Sequence, residues 1–264
     1  MSEAAPTPPT KRFSFPRWVN YALPVIAVAV AGGLFYAPTL FVLGASPKTT
    51  AVNYAPEQPV PYSHAVHVGK LGMDCRYCHT TVESAAFAAI PATQTCINCH
   101  RPADVDNAGK VKPGTGGIRA IVKAGGQDAA NPLLKPVHDS WKTGTPVQWV
   151  KVHDLPDYAF FNHAAHVNRG VGCVSCHGRI DQMDKVYQDQ PLSMGWCLDC
   201  HREPEKHLRP LDQITNMGWT PVDHPYAEGE RDKAKAQLKV GLKLKAEFGT
   251  RDIPYMTSCY TCHR

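Results

Sequence analysis

The chain has 264 residues and carries 28 Lys+Arg against 23 Asp+Glu, a formal charge of +5. So modest an excess makes no nucleic-acid face, and no nucleic-acid partner is expected. The 23 prolines and 20 glycines point to a loop-rich chain, and no run of alternating residues argues for a sheet.

Residues 1–17 hold Lys11, Arg12 and Arg17, and the stretch that follows, WVNYALPVIAVAVAGGLFYAPTLFVLG, has no charge. It exceeds the ~20 apolar residues needed to cross a hydrocarbon core. It therefore predicts a transmembrane anchor helix over 18–44. The alternative is a signal peptide cleaved near Ala45, but the apolar run is long for that purpose and Leu43 is large for the recognition position. The preceding positive charges predict a single-pass protein of the bacterial inner membrane, with a cytoplasmic N-terminus and the rest in the periplasm. Trp18, Tyr21 and Tyr36 suit the interfaces, and Gly32-Gly33 offers a smooth patch to a neighbouring helix.

Residues 45–101 contain Tyr62-Ser-His64-Ala-Val-His67, then Cys75-Arg-Tyr-Cys78-His79 and Cys96-Ile-Asn-Cys99-His100. After a connecting segment at 102–150 the plan repeats in 151–205. Phe161-Asn-His163-Ala-Ala-His166 precedes Cys173-Val-Ser-Cys176-His177 and Cys197-Leu-Asp-Cys200-His201. Residues 206–264 hold an expected helix, Asp232 to Phe248, with Leu238, Leu242 and Phe248 near one face, and end in Cys259-Tyr-Thr-Cys262-His263. Two dihaem modules and a terminal fifth site result.

C-x-x-C-H is the attachment pattern of a c-type haem, in which both thiols form thioethers and the adjacent imidazole binds iron. All ten cysteines lie in such motifs. A thioredoxin-like pair or a zinc knuckle requires no His after every second Cys, and cysteines three apart are a poor basis for a disulfide framework. Five covalent haem c groups are thus expected on Cys75, Cys78, Cys96, Cys99, Cys173, Cys176, Cys197, Cys200, Cys259 and Cys262. His79, His100, His177, His201 and His263 are the expected proximal iron ligands. The chain is too short to build a separate core around each porphyrin, so the expected fold is a multihaem cytochrome c of loops and short α-helices wrapped around five haems.

Two imidazoles three residues apart on one turn can reach two neighbouring irons. His64, His67, His163 and His166 are accordingly expected as distal ligands. One distal position remains, for which His153 is the first choice and Met183 the alternative. Met194 lies too near Cys197 to reach that haem's far side. His138, His207 and His224 are expected at the solvent surface.

The segments PVPYSHAVHVGKLGMDCRYCHTTVESAAFAAIPATQTCINCH, PVQWVKVHDLPDYAFFNHAAHVNRGVGCVSCHGRIDQM and PLSMGWCLDCHREPEKHLRP resemble the pentahaem, membrane-anchored cytochrome c subunit of bacterial alternative complex III. The resemblance covers nearly the whole chain and is least defined from Arg101 to about Pro136. It implies a subunit of a quinol-oxidising respiratory membrane complex. Its partners would be an iron-sulfur/molybdopterin-like subunit, polytopic quinol-binding subunits and a monohaem cytochrome c. Electrons from menaquinol would then leave for a periplasmic cytochrome or copper carrier or a terminal oxidase.

No catalytic site is expected in this chain alone. A pentahaem reductase would need one open haem iron, whereas every motif here ends in His and distal candidates are plentiful. A tethered four-haem quinol dehydrogenase also has an N-terminal anchor, but lacks the fifth site and this repeat plan.

Overall fold

A computed structural model describes residues 14–44, 50–102 and 132–264, together with 104, 106–108, 110 and 112–115. Lys11, Arg12 and Ala45, which entered the orientation and cleavage arguments, lie outside these residues. The chain divides into two compact units, one ending at Thr49 and the other running from Thr50 to Arg264.

In the first unit, helix α1 spans Val19–Gly44. At ~1.5 Å per residue its 26 residues reach about 39 Å, enough to cross a bilayer. None of them is buried, and mean hydropathy reaches 2.1 over its most apolar window. Pro24 and Pro38 lie inside the helix, where each removes one backbone donor. Thr39 Oγ1 donates to Phe35 O at 2.7 Å, one of the local adjustments that such helices use.

Among its described residues the second unit is helical throughout its regular structure. Its elements are a π-helical turn at Ala65–Lys70, then α2 (Cys75–Cys78), α3 (Thr93–His100), α4 (Lys135–Thr143), α5 (His163–Val167), α6 (Val174–His177), α7 (Met194–Arg202), α8 (Lys233–Glu247), α9 (Ile253–Met256) and α10 (Cys259–Cys262). Short 3-10 turns connect several of them. Among the described residues no strand forms, and the only β pairing is the isolated bridge Val171–Leu208. Helices α2, α6 and α10 are single turns built on a C-x-x-C motif, too short to persist alone, so tertiary contacts must hold them.

Two small cores do this. Val60, Ile97 and Val137 pack together beside Val147 and Trp149, joining α3 to α4. Thr93 Oγ1 and Ser140 Oγ share a hydrogen bond of 2.8 Å across the same contact. The larger core gathers Leu208, Ala227, Ala236, Val240 and Leu244, with Trp219, Tyr226 and Phe248 around it.

The face of α8 is a correction to the sequence reading. Leu238 and Leu242 are 43% and 51% exposed, while Ala236, Val240 and Leu244, spaced four apart, are buried. The cause is Gly241, whose missing side chain lets the helix lie directly on the Glu205 backbone. Gln237 Nε2 then donates to Glu205 O at 3.0 Å and to Leu208 O at 2.7 Å. Close backbone approach selected the small-residue face over the larger leucines.

Segments from distant parts of the sequence interleave. Gln58 and Val150 exchange two hydrogen bonds, of 2.8 and 3.0 Å. Buried Gln188 donates to Thr50 O at 2.7 Å.

Candidate haem-binding site

The repeat seen in the sequence recurs in three dimensions. Tyr62 meets His64 edge-on at 4.9 Å and stacks on His67 at 4.3 Å with an interplanar angle of 22°. Phe161 meets His163 edge-on at 4.8 Å and stacks on His166 at 4.5 Å with an angle of 25°. One aromatic ring thus fixes two imidazoles in each copy. Asn162 also caps α5, accepting from Ala165 N.

In six of the ten expected ligands the ring nitrogens are sorted as iron ligation requires. A metal-binding imidazole uses one nitrogen for the metal and usually gives the other N–H to a carbonyl. His67 Nδ1 lies 2.8 Å from Ser63 O and His166 Nδ1 2.7 Å from Asn162 O, the same residue four back in each copy. His79 Nδ1 meets Ala89 O at 2.8 Å, His163 Nδ1 meets Ala86 O at 2.8 Å, and His201 Nδ1 meets Met256 O at 2.8 Å. His263 Nδ1 meets Tyr158 O at 2.9 Å. With Nδ1 donating, Nε2 keeps its lone pair for a metal. These carbonyl partners were not singled out in the sequence, although the spacing of four from Ser63 to His67 and from Asn162 to His166 was there to be read.

Imidazole pairs follow from this. The rings of His67 and His100 have centroids 6.0 Å apart at 68°, and those of His166 and His201 lie 6.1 Å apart at 24°. A metal–imidazole bond is about 2 Å, so two rings on opposite sides of one metal have centroids about 6 Å apart. Each module therefore sets the second His of its H-x-x-H segment against the imidazole of its second C-x-x-C-H motif, at the spacing a shared iron demands.

His64, His79, His153 and His163 lie near enough to His177 to act on it electrostatically. Burial holds His177 down to about 3, with His153 and His163 contributing, and holds His64 down to about 4, with His79 and His67 contributing. Burial also lowers His153 and His166. All four are thus neutral near pH 7, the form that binds metal. His153 packs edge-on against His177 at 4.5 Å and 75°, and its Nε2 is buried with no hydrogen-bond partner. Such an orphan suits a ligand role. Met183, its competitor, is buried, and its carbonyl accepts from Ala65 N beside the first H-x-x-H segment. Met194 is 66% exposed at the start of α7.

His138, His207 and His224 are half-buried, a correction to their expected place at the surface. His138 lies on α4, where its Nε2 is engaged with His100 O at 2.8 Å. His224 Nδ1 accepts from Tyr226 N at 3.2 Å, which leaves the proton on Nε2.

All ten cysteines are free of disulfides. Burial raises the thiols of Cys78, Cys96 and Cys197, and takes Cys176 up to about 12 and Cys200 up to about 11. For these five the shift is the reverse of the activation that a redox or nucleophilic cysteine needs. Nor do the described residues contain a group of three or more His, Cys, Asp or Glu placed to hold a metal unaided. A zinc knuckle is therefore not built here, whereas a porphyrin would bring four of its iron's six ligands and ask for only two. The residues fit haem.

Asp74 anchors the first motif. It caps α2 by accepting from Arg76 N at 2.8 Å, pairs with Arg76 Nε at 2.9 Å, and accepts from Thr215 Oγ1 at 2.9 Å. The Arg76 hydrogen bond leads in holding its carboxyl down to about 2. A depressed carboxylate stabilises the fold above its unfolded pKa of ~3.9, and that contribution is lost as pH falls through the folded value. Acid unfolding followed between pH 4 and 2 is expected to be shallower in Asp74→Asn than in the parent chain.

No family model matches the chain. It is similar to the protein named menaquinone reductase, multiheme cytochrome c subunit, from Nitratidesulfovibrio vulgaris, with 29% identity over 172 residues. The match takes in 58% of this chain and 70% of that protein, and its likeness is to a multihaem cytochrome c.

Proposed function

We propose that this chain is the electron-transfer subunit of a quinone-linked membrane complex and carries five covalent haem c groups on its five C-x-x-C-H motifs. The observation that carries the reading is the pairing of His67 with His100 and of His166 with His201 at 6.0 and 6.1 Å, each distal ring held by its own carbonyl and aromatic neighbour. His79, His100, His177, His201 and His263 serve as proximal ligands. His64, His67, His163, His166 and His153 serve as distal ligands, with Met183 as the alternative to the last. Haems held by these residues would supply one-electron carriers.

The residues position and insulate these groups. Tyr62 and Phe161 hold the distal imidazoles, and the backbone carbonyls keep Nε2 available. With two protein ligands at each iron no coordination site is left for substrate, so the chain conducts and performs no substrate chemistry of its own. Helix α1 anchors it, with residues 1–17 cytoplasmic and the haem unit periplasmic. It offers no enclosed site for a quinol, so polytopic partner subunits supply one. An iron-sulfur/molybdopterin-like subunit and a monohaem cytochrome complete an assembly of the alternative complex III type, in which electrons run from menaquinol outward.

The relative's name favours a second reading on one point, the direction, because that protein belongs to a menaquinone reductase. Intact mass and haem content of the chain purified with its partners test the first claim. Five haems, a retained N-terminus, and reduction of the haems by a menaquinol analogue only when polytopic partners are present are expected. A lower haem count refutes the cofactor set. Haems that instead pass electrons from a periplasmic donor to menaquinone reverse the direction.

A further inference from the structure

The five attachment motifs do not succeed one another in space as they do in sequence. We propose that they form one row in the order second, first, third, fourth, fifth, with the joint between the two modules made by the first and third motifs. This rests on reading the motifs as haem attachment sites.

The second and first motifs lie side by side, since Asn98, inside the second, reaches the Tyr77 hydroxyl, inside the first, at 3.5 Å. On its other flank the second motif is backed by protein. Helix α4 covers it through Ile97 packed on Val137, and His138 Nε2 meets His100 O at 2.8 Å. That makes the second motif an end of the row.

The first motif meets the third directly. Asp74, next to Cys75, accepts from Thr215 Oγ1 at 2.9 Å, and the neighbouring Ile214 O accepts from Cys173 N at 3.2 Å. Two adjacent residues therefore clamp the leading cysteines of the first and third motifs together. The H-x-x-H segment of the second module docks on the loop after the first motif. His163 N and Nδ1 both reach Ala86 O, at 3.0 and 2.8 Å, and Asn168 Nδ2 donates to Glu83 O at 2.9 Å.

His166 on α5 faces His201, and Val171 N, two residues before Cys173, donates to His166 O at 3.1 Å, so the third and fourth motifs are joined through that turn. The fifth follows the fourth. His201 Nδ1 meets Met256 O at 2.8 Å, three residues before Cys259. Phe160 N donates to Cys262 O at 2.7 Å, and Arg264 lies over the Phe160 ring at 4.5 Å. Tyr260 within this motif is 83% exposed, as suits the other end.

Iron positions located by anomalous scattering in the haem-loaded full-length chain test the order. The first-motif iron should have two iron neighbours, those of the second and third motifs, and the second-motif iron only one. A second-motif iron lying between the first and third overturns the proposal. Fewer than five irons counts against the five-haem reading instead, while the adjacency of the first and third motifs is still decided by their own irons.

A solution measurement separates the two orders without a map. A photoreductant tethered at Arg251→Cys delivers electrons near the fifth motif. With Cys75→Ala and Cys78→Ala the fast phase should reduce all remaining haems but one, whereas with Cys96→Ala and Cys99→Ala it should reduce all that remain. The opposite pair of results would mean that the row follows the sequence.

Discussion

Replacing His166 by alanine is expected to convert one haem from low to high spin, with loss of about one fifth of the low-spin signal and the appearance of carbon monoxide binding. The reason is that every interaction of this ring serves one orientation. Phe161 stacks on it at 4.5 Å, Asn162 O takes its Nδ1 proton at 2.7 Å, and the His201 ring lies 6.1 Å away. Alanine removes the imidazole that His201 faces.

His67→Ala should act in the same way on a different haem, and the two can be told apart. The His166 and His201 planes are 24° apart, the His67 and His100 planes 68° apart. Near-parallel imidazoles give an ordinary rhombic ferric signal, and strongly crossed ones a signal with a large maximal g value. His166→Ala should therefore erase a rhombic component and His67→Ala a large-g component. His224→Ala, whose ring is occupied by Tyr226 N, should leave both in place. A full low-spin spectrum after either ligand replacement would remove that histidine from the ligand set.

Gly241→Ala should lower the thermal midpoint, although helix propensity alone favours alanine over glycine by ~1 kcal/mol. An added Cβ would overlap the Glu205 carbonyl, sitting 2.7 Å from its carbon and 2.9 Å from the Glu205 Cα. Backbone cannot swing aside as a side chain does, so α8 must retreat and give up the Gln237 bonds to Glu205 and Leu208. Overpacking costs about 1–3 kcal/mol, and a clash with unyielding backbone lies towards the upper end of that range, above the propensity gain. At ~2–4 °C per kcal/mol for a unit of this size, the midpoint should fall by several degrees. Leu242→Ala, on the exposed face, should change stability by less than ~0.5 kcal/mol. A midpoint raised by Gly241→Ala would mean that α8 does not lie on the Glu205 backbone.

What could be read from the sequence was whatever depends on neighbours along the chain. C-x-x-C-H places two thiols and an imidazole within one turn, so five separate copies announce themselves wherever the chain later goes. The apolar run before Gly44 is likewise a local property, and it forms a helix of spanning length. The two H-x-x-H segments, each after an aromatic residue, were legible as a repeat, and their matching ring geometry follows from the same short spacing.

The rest depended on contacts between residues far apart in sequence. Nothing local to His67 points to His100, or to His166 as the partner of His201, because those distances are closed by packing. The adjacency of Cys75 and Cys173 is made by Ile214 and Thr215, far from both in sequence. The helix near the C-terminus shows the same limit. Its larger leucines marked the expected face, yet the face that packs is set by how closely two backbones approach at Gly241, a quantity that exists only once the Glu205 turn is in place. Residue types and short spacings determined which groups are present; which of them meet was decided by the tertiary fold, because side-chain pairing is a property of the packed chain.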